Sequence, residues 1–297
     1  MKKIFYIIKP LIPRRLQLFL RRILAKRKVL TYSSVWPIYP SSEVAPEGWR
    51  GWPESKKFAL VLTHDVEKRG GHDKSRKLLE IEKELGFKSS FNFVPERYKV
   101  DMELLNYINS EGFEVGVHGL NHDGNLFRNK QIFMQRARKI NQYMKEWDCV
   151  GFRAPAMHHN LEWIKELEIE YDLSTFDTDP FEPQPDGVGT IFPFWIDGNN
   201  NNSGYLEMPY TLVQDFTLFI LMEETTPKIW MDKLDWIAKE GGMALVNVHP
   251  DYMNFNNERR LEEFPADYYS DFLKLVKDKY AGKYWNALPK EVAEYCR

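Results

Sequence analysis

The sequence predicts an α/β protein built on a largely parallel sheet, either open or closed into a barrel. Three observations predict it. Short apolar, strand-like runs alternate with helix-like stretches about seven times from Phe58 onward. Polar clusters stand directly after several of those runs, where parallel α/β folds gather their functional groups. And 297 residues, 43% hydrophobic and 14% aromatic, suffice for one large core or two small ones.

The elements follow in order. Residues 1–28 hold ten Lys or Arg and no acid, leaving 31 basic against 43 acidic side chains in the other 269 residues, a balance of −12. A basic arm is thus attached to an acidic body. Its first apolar run is broken by Lys9, Pro10 and Pro13, which argues against a spanning helix and a signal-peptide core. From there Ile12, Leu16, Phe19, Leu20, Ile23 and Leu24 recur at helical spacing, with Arg14, Arg15, Arg21 and Arg22 on the other side. Such a helix suits an anionic membrane surface, reached through residues 12–28; the alternative is packing on the acidic body. Nucleic acid is not expected, because no recognition motif follows and the remaining chain is acidic. Residues 1–30 are therefore read as a membrane-surface segment and 31–57, rich in Pro, Ser and Trp, as a linker or wrapping segment.

A third unit, 58–297, carries the alternation. Strands are expected at Phe58 to Thr63, Ser89 to Val94, Phe113 to Val117, Val150 to Phe152, Leu173 to Phe176, Tyr205 to Met208 and Met243 to Val248. Helices are expected around Ser75 to Leu85, Met102 to Ser110, Lys130 to Trp147, Leu161 to Glu168, Ile229 to Glu240 and Asp267 to Lys279. Residues 177–204, with four Pro and an Asn run, read as a long excursion with a mobile tip. Two cysteines, Cys149 and Cys296, are too few for a disulfide framework, and a reducing compartment is the simpler reading.

The run Phe58-Ala59-Leu60-Val61 passes straight into Leu62-Thr63-His64-Asp65-Val66-Glu67, a buried strand ending in three side chains that resist burial. Unpaired charge is tolerated there mainly where it meets a metal, a partner or a substrate. Three more polar clusters close strand-like runs: "VGVHGLNHDG" with His118 and His122, "GFRAPAMHH" with Arg153, and "ALVNVHPDY" with His249. Histidines four apart share a face if the residues between them make one helical turn, a workable bite for a divalent metal.

This order of acid cluster, His-x-x-x-His, Arg-x-Pro and late His resembles the polysaccharide deacetylases, the NodB-homology enzymes of carbohydrate esterase family 4, over roughly Phe58 to Tyr252. The resemblance implies a distorted, often incomplete (β/α) barrel with a metal at its mouth. It implies Asp65 as catalytic base, His118 and His122 as metal ligands, Arg153 as the arginine that orients the base, and His249 as general acid. The implied cofactor is a divalent metal ion, zinc foremost, with manganese, iron or cobalt as alternatives. The implied partner is an N-acetylated glycan or glycan precursor. With the basic helix, this suggests a cytoplasmic enzyme peripheral to the inner membrane, acting on a surface polysaccharide or its lipid- or nucleotide-linked precursor.

The sequence also departs from the family pattern. Val66 stands where a metal-binding Asp is usual, His64 replaces an aromatic, and Asn247 replaces a Leu. On an extended strand residues 65 and 67 share a face while 66 points away, so Glu67 becomes the expected anionic ligand. The competing readings are that Asp65 binds the metal, leaving no base in place, or that Glu67 pairs with Lys68 or Arg69. Two other function classes stay open: a different C–N hydrolase on the same fold, favoured by a compact closed mouth, and an inactive glycan-binding protein, favoured by Val66.

Overall fold

The structure, a computed structural model, describes residues 13–184, 186–199, 202–256 and 260–297. Strand β1 (Phe58–Val66) shows how it is built. Its side chains alternate: Phe58, Leu60, Leu62 and Val66 enter an outer core between sheet and helices. Ala59 and Val61 enter a smaller inner core with Tyr171, Leu173, Leu206 and Leu245. Burial on both faces explains the unbroken apolar run. At about 2 kcal/mol for each fully buried aliphatic side chain, the run anchors a strand whose last residues are polar.

From β1 the sheet continues through parallel β2 (Ser89–Phe93), β3 (Glu114–His118), β4 (Gly151–Arg153) and β5 (Tyr171–Asp172). The hairpin of β6 (Phe194–Asn199) and β7 (Asn202–Glu207) follows, with β7 parallel to β5 and antiparallel to β6. On its other side β1 pairs with β8 (Met243–Val248). After a separate two-residue ladder of β9 (Met253–Asn254) and β10 (Phe264–Pro265), β11 (Tyr284–Asn286) pairs with the start of β1. Bridges Phe176↔Tyr210 and Leu212↔Val246 curl the far edge back onto β8. The result is a distorted, partly closed (β/α) barrel, as the alternation and the motif order implied.

Helices α1 (Arg14–Thr31), α2 (Arg69–Leu85), α3 (Met102–Ser110), α4 (Lys130–Glu146), α5 (Leu161–Ile164), α6 (Lys228–Glu240), α7 (Asp267–Tyr280) and α8 (Pro289–Cys296) accompany the sheet. Asp101, Asn129 and Asn160 cap α3, α4 and α5 by accepting from backbone N–H groups, which fixes where those helices begin. No helix of the described residues is long and apolar enough to cross a membrane.

Some elements differ from expectation for local reasons. The strand expected at Leu173 to Phe176 lies earlier, at Tyr171–Asp172; beyond it the Thr175 N–H donates to the Glu207 carboxylate at 3.1 Å instead of joining a ladder. The excursion contains the β6–β7 hairpin; its tip, Asn200 and Asn201, lies outside the described residues. Segment 32–57 wraps the body: Trp36 and Trp52 are buried, and Trp52 Nε1 donates to the Gly241 carbonyl at 2.8 Å. Helix α1 lies on the body too, with Leu18 and Ala25 buried and Arg22 Nε donating to the Ile220 carbonyl at 3.0 Å.

Candidate metal centre and catalytic mouth

The alternation that fills the inner core with Ala59 and Val61 continues inward as Thr63, Asp65 and Glu67. Val66 turns outward into the outer core, so it cannot reach a ligand at the mouth. His64 also faces outward, where its ring nitrogens meet the Val248 carbonyl at 3.2 Å and Glu82 Oε1 at 2.9 Å. It is a hydrogen-bonded packing residue. On β8 the same rule sends Val246 and Val248 outward and Asn247 and His249 to the mouth.

Glu67, His118 and His122 each offer one ligand atom within 4.8 Å of the others. His118 Nδ1 lies 3.2 Å from the Arg153 carbonyl, which assigns that nitrogen the proton and leaves Nε2 as the lone-pair donor. His122 Nε2 is buried and makes no well-aligned hydrogen bond, although Glu67 Oε1 lies 3.2 Å away. Burial pushes the His118 imidazolium down to about 4, so its ring is neutral at neutral pH. Two imidazoles and a carboxylate form a donor set that fits a divalent cation such as zinc.

The two histidines do not share a helical turn. Gly119 at φ 62° and His122 at φ 53° reverse the chain sharply instead. At position 119 a side chain would be strained, and its Cβ would come within 2.5 Å of the Pro155 ring.

Asp65 is buried between hydrogen-bond donors. Its Oδ1 accepts from Arg153 Nη1 and Asn92 Nδ2, both at 3.2 Å, and its Oδ2 accepts from Asn247 Nδ2 at 2.8 Å. Burial alone would raise this carboxyl; His118, Arg153 and His249 around it, with the Asn247 bond, outweigh that and hold it well below the usual carboxylate range. Because the His118 ring is neutral at neutral pH, the charge doing this there is that of Arg153 and His249. Arg153 is itself fully buried and fixed, donating from Nε to the Leu173 carbonyl at 3.0 Å and from Nη1 to Asn247 Oδ1 at 2.7 Å. Asn247 thus ties Asp65 and Arg153 together.

His249 Nε2 stands 3.9 Å from both Asp65 Oδ2 and Glu67 Oε1. Its Nδ1 lies 2.7 Å from Asp215 Oδ1, and its backbone N–H donates to Asp215 Oδ2 at 2.8 Å. Burial would lower this imidazole, but Asp215, then Glu67 and Asp65, overcome burial and push it up to about 10. Glu67 is positioned from two sides. Its backbone N–H donates to Asp251 Oδ2 at 2.7 Å, and its Oε2 accepts from the Tyr252 hydroxyl at 3.2 Å. Asp251 also accepts from the Gly71 N–H at 3.1 Å, an approach so close that a Cβ on Gly71 would sit 2.2 Å from its carboxylate.

All six residues singled out from the sequence, Asp65, Glu67, His118, His122, Arg153 and His249, therefore meet at one mouth. Asp177 and Asp179, which follow the run Leu173 to Phe176, are engaged elsewhere: Asp177 binds Lys233 at 2.6 Å, and Asp179 accepts from Tyr210 and from the Phe181 N–H, both at 2.7 Å. His158 lines a crevice with His122, while His159 meets the Met157 carbonyl at 2.9 Å. Asp215, Asn92, Tyr252 and Asp251 were not singled out. Asp251 and Tyr252 follow His249 and Pro250 in the sequence; Asp215 is the one ionisable side chain in Leu212-Val213-Gln214-Asp215-Phe216.

No sequence-family model matches the chain, and no curated protein matches it by sequence. Solved structures do match. A Mycobacterium smegmatis protein assigned as a polysaccharide deacetylase aligns with a TM-score of 0.61 at 19% identity, over 85% of this chain and 94% of that one. PuuE allantoinase aligns at 0.63 and 15% identity, over 82% and 91% of the two chains. A Pseudomonas aeruginosa protein assigned as a polysaccharide deacetylase gives 0.60 and 15%, over 82% and 92%. The chain therefore has the polysaccharide deacetylase fold, shared with an allantoinase.

Proposed function

We propose that this protein is a metal-dependent hydrolase that removes N-acetyl groups from a carbohydrate, a divergent member of the polysaccharide deacetylases. One observation carries the reading: an ionised, buried Asp65 and a charged His249 stand beside the cation-ready set Glu67, His118 and His122. A divalent cation held by those three residues, zinc foremost, would supply Lewis acidity, making water acidic near neutral pH and polarising the acyl oxygen.

The chain's own groups account for the proton traffic. Asp65 Oδ2 faces the mouth and accepts the proton of the attacking water, while Arg153, Asn92 and Asn247 keep the carboxylate aimed. His249 carries a proton on Nε2 and delivers it to the departing amine, with Asp215 holding the other nitrogen and compensating the charge. Water adds to the acetamide carbon, the C–N bond breaks, and free amine and acetate leave. The activity profile is bell-shaped in pH, its acid limb set by the carboxylates and ligands and its alkaline limb by His249.

The substrate we favour is a surface polysaccharide, or its lipid- or nucleotide-linked precursor at the cytoplasmic face of the inner membrane; the basic helix α1 supports that placement. The allantoinase match keeps a small cyclic or linear amide as the rival substrate. The test measures acetate release from N-acetylated oligosaccharides, with allantoin hydrolysis alongside, after loading with zinc, manganese, iron or cobalt. Acetate release that Asp65→Asn abolishes supports the proposal. Hydrolysis of allantoin alone would move the assignment to the rival, and no turnover of either with metal bound would leave a binding protein.

A further inference from the structure

Helix α1 packs on the body by one edge and leaves another edge uncovered. The edge against the body is small and basic. Leu18 and Ala25 are buried, the Arg21 guanidinium lies 4.8 Å from the centre of the Phe216 ring, and Arg22 pairs with Glu223 at 2.9 Å. Arg14 binds Glu262, and Lys28 donates to the Pro180 carbonyl. The apolar stripe of the helix is left facing outward. Leu16, Phe19, Leu20, Ile23, Leu24 and Leu30 are six of the twelve large apolar side chains exposed among the described residues, Phe19 at 57% and Leu24 at 56%.

A helix that served only to pack would bury that stripe, since covering it is the main gain a helix has from docking. Here docking uses Arg and Lys against Glu and backbone carbonyls. At 100° per residue, Arg27 falls within the stripe and Arg15 and Lys26 along one flank, all three exposed, with Lys26 also reaching, at 3.4 Å, the Glu223 that holds Arg22. Such cations suit a surface of the opposite sign and oppose pairing of two copies through this face, which would set Arg against Arg. The remaining chain, with its balance of −12, is repelled by an anionic surface, so attraction is confined to this arm.

We propose that the outward stripe of α1, with Arg15, Lys26 and Arg27, is the binding face for an anionic lipid bilayer, and that the helix lies in the interface while its other edge stays on the body. The apolar side chains enter the acyl boundary and the basic ones reach the headgroups. This proposal is independent of the catalytic one, because binding is read on the full chain without substrate.

The experiment is co-sedimentation of the full chain with vesicles of phosphatidylcholine alone and with about a third phosphatidylglycerol, alongside Phe19→Glu/Leu24→Glu and Arg15→Glu/Arg27→Glu. Partition onto the anionic vesicles is expected to exceed that onto phosphatidylcholine by about tenfold or more, to weaken in high salt, and to fall at least about tenfold in each double variant. All altered side chains are exposed, so circular dichroism and thermal unfolding should match the parent. Binding that survives Phe19→Glu/Leu24→Glu overturns the proposal. So does a parent that ignores vesicles but sediments as a dimer the apolar variant dissociates, which would make a second copy the cover. A parent that neither binds nor dimerises overturns it equally.

Discussion

Strand β3 carries an ionisable side chain at each end of its inward face, and the two ends behave oppositely. At the mouth, His118 stands beside Asp65 and Glu67, two enclosed carboxylates held well below their usual range despite burial. At the floor, Glu114 is just as enclosed, yet burial pushes it up to about 7, because its partners are the Tyr171 hydroxyl at 2.9 Å and the Lys290 backbone N–H at 3.2 Å. Burial is common to both ends; Arg153 and charged His249 are present only at the mouth. A displaced carboxyl is therefore no sign of a site by itself. What marks the site is a carboxyl kept charged where burial alone would neutralise it, since that needs cations brought in from other strands.

The largest effects should come from separating the two mouth carboxylates. Glu67→Ala should lose bound metal, read by elemental analysis, and activity with it. Asp65→Asn should keep near-stoichiometric metal and lose about 10³-fold in kcat, the range for removing a general base. If Asp65→Asn were the variant that loses metal while Glu67→Ala keeps it, the roles would be reversed and the chain would lack a base on β1.

A smaller effect concerns the charge on His249. Asp215→Asn removes the anion that does most to raise His249, so its imidazole falls and the alkaline limb of the activity profile moves to lower pH. Removing a carboxylate that orients and charge-balances a histidine should lower kcat by about 10²-fold or more, with KM little changed and metal content intact. An unshifted alkaline limb would mean that His249 does not set it.

Legibility in the sequence follows the same division. Asp65, Glu67, His118, Arg153 and His249 could be read because each ends a strand-like run, and a two-residue alternation sends Asp65 and Glu67 inward together while Val66 and His64 turn away. That inference needs only local geometry. Two further partners, Asp215 and Asn247, could not be placed from local geometry, since Asp215 reaches His249 across 34 positions and Asn247 reaches Asp65 across 182. Which donor meets which acceptor depends on how the sheet closes, and closure rests on single bridges such as Leu212↔Val246. Between His118 and His122 the condition of a helical turn is not met, and two left-handed residues, Gly119 and His122, bring the rings together instead. For α1 the period was visible, but which edge would dock was not.

The floor supplies the smallest effect and the cleanest test of the comparison, because it is remote from the catalytic groups. Glu114 sits near 7 in the folded chain against an ordinary 4.5, so between those values the folded state retains a proton that the unfolded state has released. The contribution of Glu114 to stability is therefore greatest below about pH 4.5, falls as pH rises through the window, and stays low above about 7, a loss of about 3 kcal/mol. Glu114→Gln keeps the shape and cannot ionise, and the Tyr171 hydroxyl can turn to accept from the new amide. Urea unfolding at pH 5 and pH 8 should find the variant close to the parent at the lower pH and more stable by up to about 3 kcal/mol at the higher, since the charged form is what burial penalises. Other buried acids titrate in both proteins and cancel in that difference. If the two proteins instead lost stability in parallel from pH 5 to pH 8, Glu114 would already be ionised in the folded chain, some cation would be serving the floor as Arg153 serves the mouth, and the contrast between the two ends of β3 would fail.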